Sequence, residues 1–271
     1  MNAPRSGAFS RQSFLGPRSQ EFLERCVVGI AGLGGGGSHI VQQLAHLGFL
    51  NYILFDPDAM EESNLNRLVG GTMANVEAAT PKVEIARRLI LGIRPKARVQ
   101  TYQEVWQNRS HELKGCDIVF GCVDGFNQRR QLETTARRYL IPLIDVGMDV
   151  YQAEGEPPSI SGQVILSMPG HACMTCLGFL NEKDLGKEAA AYGAAGTHPQ
   201  VVWSNGILAS AAVGLAVDLL TDWSRSLRGA VYLSYRGNLG TLQVDPLLRF
   251  VPPRCEHFKI GDAGKPIFRT L

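Results

Sequence analysis

The sequence lacks an apolar run long enough to cross a membrane. Its longest apolar stretches are interrupted well before the roughly 20 residues that a spanning helix needs. Arg5, Arg11 and Arg18 lie near the N-terminus without an adjoining apolar segment, so we expect no secretory leader. These features predict a cytoplasmic protein with no membrane partner.

Blocks of one charge sign are also missing. The chain has 27 basic and 25 acidic residues and a formal net charge of +2. Nucleic-acid and membrane-surface binding usually show a clear basic excess, so we expect no nucleic-acid partner. The arginine pairs Arg129-Arg130 and Arg137-Arg138 fall in helical patterns, and we expect them on solvated faces.

Cysteine is scarce, which argues against a disulfide scaffold. Of the six cysteines, Cys26, Cys116 and Cys122 fall within or beside predicted strands. A thiol in that position is more often a small buried hydrophobe than a nucleophile. Cys173 and Cys176 form a C-x-x-C, the spacing of half a tetrahedral zinc site, and no second C-x-x-C exists in the chain.

What the sequence does contain is a regular alternation of apolar strands and amphipathic helices up to residue 147. The predicted strands are 26–31, 51–56, 98–102, 117–121 and 142–146, and the predicted helices are 38–47, 83–93 and 128–139. Such alternation is typical of parallel sheets with right-handed crossovers. It predicts an α/β fold with a Rossmann-like, mostly parallel sheet and helices on both faces.

The pattern changes after Gly147. Short runs at 149–153 and 162–168 predict antiparallel strands, and 186–200 is a Gly- and Ala-rich crossing segment. A long apolar helix is predicted over 203–221, followed by a closing hairpin that turns at Gly237-Asn238. We expect one domain over 1–271, with a nucleotide-binding half at 1–147 and a crossing, substrate-binding and dimer half at 148–271.

A glycine-rich turn, "GIAGLGGGGSHI", follows the first predicted strand. Gly32, Gly34 and Gly37 have the G-x-G-x-x-G spacing that lets the backbone approach a phosphate at a helix N-terminus. Asp56 lies 19 positions after Gly37 and fits a ribose hydroxyl of either NAD or ATP. The alternative is a tight structural turn with a strand-capping aspartate.

The residues after Asp56 favour a triphosphate over NAD. Carboxylate, amide and cationic side chains follow two of the predicted strands: Asp58, Asn64, Arg67 and Lys82 come after 51–56, and Asp124 comes after 117–121. Two cations and an acid at one sheet edge suit a triphosphate with Mg²⁺. No flat nicotinamide slot or proton donor for hydride transfer is evident.

Together these motifs resemble one family over nearly the whole chain. The matching positions are Gly32, Gly34, Gly35 and Gly37, Asp56 and Asp58, "NLNR" at 64–67, Pro81-Lys82, Asp124, the upstream "FSRQSFLG" and the later "PGHACMTC". This order and spacing is similar to the ThiF/MoeB-like adenylyltransferases, in the superfamily of ubiquitin-activating enzymes.

The resemblance implies an activity. Family members use ATP to activate the C-terminal carboxylate of a small ubiquitin-like or sulfur-carrier protein, usually ending in glycine, as an acyl-adenylate with release of pyrophosphate. It implies that Asp56 holds the ribose and that Asp124 binds Mg²⁺. Asn64, Arg67 and Lys82 would hold the phosphates.

The resemblance also implies a homodimer. The matching arginine, Arg11, reaches the phosphates from the partner subunit in this family, although an arginine on a loose N-terminal arm is the alternative. Arg129 matches a family arginine after Asp124, whereas Gly125 replaces a common asparagine and leaves the local hydrogen bonding open.

A structural zinc site is the third implication. Family members often complete it with a second C-x-x-C near the C-terminus, where this chain has Cys255 and His257. We predict zinc bound by Cys173, Cys176, Cys255 and His257. The alternatives are reduced loop thiols, or His171 as a substitute ligand.

The sequence leaves two alternative functions open. One is adenylation of a peptide or a tRNA base, and the other is a catalytically silent nucleotide-binding partner subunit. Residues 178–205, where family members usually carry a thioester cysteine, contain none. We therefore expect direct release of the adenylate to a downstream carrier enzyme or sulfur donor.

Overall fold

A single eight-stranded sheet forms the frame of the protein in the computed structural model. The structure describes residues 7–152, 154–183, 185–186, 199–221, 223–224, 229–252 and 255–258. The strands are β1 Val27–Ala31, β2 Asn51–Phe55, β3 Arg98–Tyr102, β4 Ile118–Gly121, β5 Leu143–Tyr151, β6 Ser159–Ser167, β7 Val231–Arg236 and β8 Thr241–Val244. Their order is β3-β2-β1-β4-β5-β6-β7-β8.

The first five strands are parallel and the last three are antiparallel to their neighbours. Helices cover both faces, at α1 Ser19–Arg25, α2 Gly35–Leu47, α3 Met73–Glu77, α4 Lys82–Ile93, α5 Phe126–Arg138 and α6 Val202–Leu220. The predicted α/β fold with an antiparallel C-terminal portion is therefore confirmed. Most of the predicted crossing segment, residues 187–198, lies outside the described residues.

Two separate apolar cores flank the sheet. One is formed by α2, α4 and α6 with Ile40, Leu44 and Leu208 among its fully buried side chains. The other contains α5 and the segment around Met174. Each face of the central strands is covered, which explains why β1, β2 and β4 are almost continuously apolar rather than alternating.

The expectation that no apolar stretch is long enough to cross a membrane is wrong at one place, because helix α6 is 19 residues long and apolar enough, by length and composition, to pass for a membrane span. Its buried face packs on α2, β5 and β6 and includes the small residues Ala209, Ala212 and Ala216. Side chains this small allow close helix packing inside a protein core. The helix therefore belongs to the core beneath the sheet, and its apolar character has a structural explanation.

The predicted strands 142–146 and 149–153, on either side of Gly147, are one strand in the structure. Strand β5 runs unbroken through this glycine, because Gly147 pairs with Gln163 and Met148 with Gly162 of β6. A Cβ atom at Gly147 would lie 2.5 Å from Nη2 of Arg129. The glycine makes room for this buried guanidinium and does not mark a turn.

The expectation that the arginine pairs lie on solvated faces is also wrong for Arg129 and Arg137. Arg129 and Arg137 are only 6% and 4% exposed. Each is compensated by a buried carboxylate, Asp145 for Arg129 and Glu133 for Arg137. Burial of a cation requires such pairing, and sequence spacing alone did not reveal the partners.

Candidate nucleotide site and cysteine cluster

The candidate nucleotide site lies at the carboxyl edge of the parallel strands. Because β2, β1 and β4 are neighbours in the sheet, the segments that follow them meet at one edge. These segments contain the glycine turn after β1, Asp56 after β2 and Asp124 after β4. The predicted convergence of these three motifs is present in the fold.

Two glycines of the turn are required by close backbone packing. Gly32 has a φ of +90°, and a Cβ atom there would lie 2.3 Å from the carbonyl oxygen of Cys122. A Cβ atom at Gly37 would lie 2.0 Å from the carbonyl oxygen of Gly32. No larger residue fits either position without moving the backbone.

The other glycines differ in their surroundings. A Cβ atom at Gly35 would lie 2.3 Å from Nδ2 of Asn205, at the start of α6. At Gly34, no described heavy atom lies within 4 Å of the equivalent position. Gly34 precedes the first turn of α2, whose free N–H groups favour an anion. The open space in front of Gly34 is thus the natural place for a phosphate.

Asp56 joins the glycine turn to the end of β2. It is 4% exposed, and its two oxygens accept from the N–H groups of Leu33 at 2.6 Å and Asp58 at 2.9 Å. Burial raises the pKa of Asp56, while the Lys82 ammonium and both N–H bonds oppose that rise. The carboxylate is held rigidly at the edge where a ribose would lie.

Lys82 and Asp58 form an ion pair beside Asp56. The Lys82 Nζ lies 2.7 Å from Oδ2 of Asp58, and the lysine side chain is 10% exposed. The main chains are also joined, because the Lys82 N–H donates to the Asp58 carbonyl at 2.9 Å. Lys82 is the first residue of α4, so the helix fixes the ammonium next to the turn.

The loop containing Asn64 and Arg67 is tied to the glycine turn through Ser38. The Ser38 hydroxyl accepts from the Val69 N–H at 3.0 Å and donates to the Gly35 carbonyl at 3.0 Å. Asn64 is buried, and its Oδ1 accepts from the backbone N–H of Glu61 at 3.1 Å, which orients its amide.

The Arg67 side chain forms hydrogen bonds within its own loop. Its Nη1 donates to the Ser63 carbonyl at 2.5 Å and to Oδ1 of Asn66 at 2.9 Å. The Asn66 amide in turn donates to the Gln200 carbonyl at 2.9 Å, where the described chain resumes before α6. The loop that contains Arg67 is therefore bonded to the end of the predicted crossing segment through Asn66 and to the start of α2 through Val69.

Asp124 is exposed and lies between β4 and α5. The nearby Arg129 points inward: its Nη1 donates to Oδ2 of Asp145 and, at 3.2 Å, to the Val146 carbonyl. Arg129 thus anchors the first turns of α5 to β5. Asp145 is thus paired with Arg129, and Asp124 follows β4 at the carboxyl edge of the sheet.

Arg11 lies away from the other residues of the predicted nucleotide site within a single chain. It is exposed in the 3₁₀ segment Ser10–Leu15, where Gln12 donates to the Leu47 carbonyl at 3.0 Å. Leu47 ends α2, whereas the glycine turn begins it. The 13 residues between these ends span roughly 20 Å.

Cys173, Cys176, Cys255 and His257 form a compact cluster far along the chain from the nucleotide edge. Their four potential ligand atoms lie within 4.8 Å of one another. The Cys173 and Cys176 sulfurs are 3.6 Å apart, and Nδ1 of His257 lies 3.5 Å and 3.3 Å from them. The predicted set of four residues is therefore brought together. His171 lies outside this cluster, although its carbonyl oxygen accepts a hydrogen bond from Arg137 at 3.0 Å.

Several residues that shape these sites were missed in the sequence. They are Ser38, Asn205, Asp145, Glu133 and the Asn66–Gln200 contact. Their contacts include ones that join residues distant in the chain, such as Ser38 with Val69 and Asn205 with Gly35. The one usable signal is the i, i+4, i+8 spacing of charged residues at 129, 133 and 137 on an otherwise apolar helix face.

A profile of the ThiF family matches residues 9–247, which includes every strand of the sheet. The chain belongs to the ThiF family. A Haloferax volcanii protein named SAMP-activating enzyme E1 is 30% identical over 165 residues, 60% of this chain and 57% of that protein. Ubiquitin-like modifier-activating enzyme 5 of Gallus gallus is 24% identical over 274 residues, 92% of this chain and 65% of that protein. This ThiF family chain thus spans less than two thirds of either relative.

Solved structures show the same fold. The crystal structure of E. coli MccB with ATP covers 94% of this chain and 74% of its own, with a TM-score of 0.72 and 18% identity. The structure of PaaA covers 84% of this chain and 75% of its own, with a TM-score of 0.66 and 22% identity. At these identities the likeness establishes the ThiF-type architecture alone.

Proposed function

We propose that this ThiF family protein is an ATP-dependent adenylyltransferase that activates the C-terminal carboxylate of a ubiquitin-like or sulfur-carrier protein. The observation that supports this most is the convergence of the glycine turn, Asp56, Lys82 and Asp124 at one sheet edge. The names of the two relatives are consistent with a protein substrate of this kind.

Each site residue has a proposed role. Asp56 accepts hydrogen bonds from the ribose hydroxyls. The backbone can approach the phosphates because the turn contains Gly32, Gly34, Gly35 and Gly37. Asn64, Arg67, Lys82 and Asp58 form the polar wall around them. For Lys82, phosphate contact requires exchange of its present partner Asp58, which is 61% exposed and able to move aside.

The proposed reaction needs charge neutralisation more than proton transfer. A carboxylate oxygen of the substrate forms a bond to the α-phosphorus, and the bond from that phosphorus to the bridging oxygen breaks, so pyrophosphate leaves. Because one anion attacks another, fixed cations lower the barrier. Arg67 and Lys82 supply positive charge, and the exposed carboxylate of Asp124 is a suitable oxygen ligand for Mg²⁺.

Pyrophosphate exchange tests the adenylation. We expect exchange of labelled pyrophosphate into ATP that depends on Mg²⁺ and on a protein or peptide with a free C-terminus. Asp124→Ala should lower the rate on the order of 100-fold or more, because it removes a metal ligand that acts in the transition state. Glu77→Ala, at an exposed acid on α3, is the matched control and should leave the rate unchanged. Undiminished exchange in Asp124→Ala contradicts the assignment.

The same assay separates the alternative substrates. Exchange supported by a carrier protein ending in Gly-Gly favours the main proposal, and exchange supported only by a short peptide or a tRNA favours the alternatives. ATP binding without exchange under all these conditions would indicate a silent partner subunit. NAD binding in a titration would instead revive the dinucleotide hypothesis.

We further propose a homodimer in which Arg11 completes the partner's site. Within one chain Arg11 lies at the opposite end of α2 from the glycine turn, so it can act only across an interface. Subunits carrying Arg11→Ala and Asp124→Ala should each be impaired as homodimers. Mixed dimers should regain part of the activity through one intact hybrid site, and verified mixed dimers without rescue would argue against shared sites.

The cysteine cluster is proposed to hold one zinc ion. Three sulfurs and one imidazole nitrogen are a usual donor set for structural zinc, and tetrahedral sites place sulfurs roughly 3.8 Å apart. The observed separation of 3.6 Å between Cys173 and Cys176 fits this. Elemental analysis of protein purified without added metal should find one zinc per chain, and well-folded protein without zinc would exclude a structural role.

The remaining proposals concern organisation and the step after adenylation. We propose one adenylation domain over 1–271, with halves 1–147 and 148–271, acting in the cytoplasm. Cys173, Cys176 and Cys255 are engaged in the cluster, Cys26 and Cys116 are buried, and the half-buried Cys122 has a pKa that burial raises. We therefore expect the adenylate to pass directly to an external carrier enzyme or sulfur donor. An ATP-dependent, thiol-sensitive adduct that maps to a cysteine of this chain would contradict this.

A further inference from the structure

The loop that contains Cys173 and Cys176 is held by two buried charged residues of α5. Glu133 and Arg137 are 1% and 4% exposed and lie one helical turn apart, with Nε of Arg137 3.5 Å from Oε1 of Glu133. Buried ion pairs contribute little to stability by themselves, because desolvation offsets the attraction. Their hydrogen-bond partners therefore indicate what this pair does.

Nearly all of those partners belong to the segment that leads into the cysteine loop. Oε1 of Glu133 accepts from the backbone N–H of Met174 at 2.8 Å and from the Ser167 hydroxyl. Arg137 donates to the carbonyl oxygens of His171 at 3.0 Å and Ala172 at 2.7 Å. It also donates to Oγ of Ser167 at 2.9 Å. Backbone groups on both sides of Cys173 are thus fixed by opposite charges.

Arg137 also contacts the second ligand segment. Its Cζ lies 5.1 Å from the centre of the Phe258 ring, and Phe258 directly follows the ligand His257. A guanidinium over an aromatic face is an attractive contact. One arginine therefore touches both chain segments that supply the metal ligands.

We infer that Glu133 and Arg137 form a clamp that positions the cysteine cluster for metal before any metal binds. This inference rests on the proposed zinc site. The clamp fixes the main chain around Cys173 through three backbone hydrogen bonds, so little loop ordering remains when the ion enters. Residues that orient metal ligands in this way commonly contribute 10- to 100-fold to metal affinity.

Cobalt binding to the full chain tests the clamp. Protein stripped of metal by a chelator is titrated with Co²⁺, whose visible absorption and thiolate charge-transfer bands report tetrahedral sulfur ligation. Arg137→Gln should weaken Co²⁺ binding about 10- to 100-fold and speed Co²⁺ release. Arg129→Gln is the matched control: it removes a buried arginine of the same helix that bonds to Asp145 instead of the cysteine loop. Its Co²⁺ affinity should equal that of the wild type.

A second pair of variants distinguishes positioning of the cysteine loop by Glu133 from a general loss of structure. Glu133→Gln retains an acceptor for the Met174 N–H, so its Co²⁺ affinity should remain within a few-fold of the wild-type value. Glu133→Ala removes this acceptor, and its Co²⁺ affinity should fall as far as that of Arg137→Gln. If a single change prevents folding, Glu133→Gln combined with Arg137→Gln removes both charges together and is expected to fold but bind Co²⁺ weakly.

Three results would overturn the clamp. They are wild-type affinity in folded Arg137→Gln, an equal loss in Arg129→Gln, and equal affinity in Glu133→Gln and Glu133→Ala. Absence of Co²⁺ binding by the wild type would remove the zinc site and the clamp together. Pyrophosphate exchange is measured separately, so failure of the clamp is distinguishable from failure of the adenylation proposal.

Discussion

Replacing Asp56 by asparagine should weaken both the fold and the ATP site. Each oxygen of this buried carboxylate accepts one backbone N–H, from Leu33 at 2.6 Å and from Asp58 at 2.9 Å. An asparagine offers one acceptor oxygen and one NH₂ donor, so one of these N–H groups loses its partner and faces another donor. An unsatisfied buried donor costs about 1–3 kcal/mol. We expect the free energy of unfolding of Asp56→Asn to fall by that amount.

Asp117→Asn is the matched control at the opposite edge of the sheet. Oδ2 of Asp117 also accepts a backbone N–H, from Val27 at 2.8 Å, but Asp117 is exposed and has a single such bond. Asparagine can retain that bond, so we expect a change within about 0.5 kcal/mol. Equilibrium urea unfolding followed by circular dichroism measures both variants.

Calorimetric titration with ATP then tests the functional half of the prediction. ATP affinity should fall at least about tenfold in Asp56→Asn, equivalent to 1.4 kcal/mol, and remain unchanged in Asp117→Asn. Equal losses of stability in the two variants would refute the proposed role of the two Asp56 hydrogen bonds. An unchanged ATP affinity in Asp56→Asn would show that the carboxylate organises the turn without contacting the nucleotide.

Four further predictions concern the glycine turn and the buried thiols. Gly37→Ala should destabilise the protein by at least about 1–3 kcal/mol in urea unfolding, because its methyl group meets the Gly32 carbonyl. Gly34→Ala should retain stability, since the space is open, but lower ATP affinity in the same titration; equal stability losses would contradict both. Burial raises the pKa of Cys116 from its ordinary value of 9.0 to about 12. The stability contributed by the buried, protonated thiol should therefore be fully present below pH 9 and fall as pH rises toward 12, by about 1.4 kcal/mol at pH 10, and a flat urea-unfolding profile between pH 8 and 10 would refute this. In the folded protein, Cys26 and Cys116 should resist a thiol reagent at pH 8 because both are buried. Rapid labelling of both thiols would show that solvent reaches them.

The order of strands and helices could be predicted because each element has its own local signature. The buried strand ending before Asp56 and the helix that starts at Lys82 were both visible as apolar runs with the correct period. The sequence also indicated the cluster residues Cys173 and Cys176, since a ligand pair three residues apart is a local pattern. Such features need no knowledge of distant contacts.

Buried charges could not be predicted in the same way. Arg129 and Arg137 resemble solvated helix residues until their partners Asp145 and Glu133 are placed beside them. Gly147 resembles a boundary between two strands until the guanidinium that it accommodates is known. In each case the deciding contact joins different elements, and pairing between elements is set by the tertiary fold.

Strand β5 has a consequence for how the chain is assembled and divided. It is paired on one side with parallel β4 and on the other with antiparallel β6, and residue 147 lies in its middle. A truncated protein ending at Gly147 would retain Asp56 and Asp124 but present half a strand with an unpaired edge, which invites aggregation. Since the shared strand belongs to both halves, neither can complete its hydrogen bonding during synthesis until the chain has emerged beyond Ser167. Split or permuted versions of this protein should therefore be cut in loops outside 143–167.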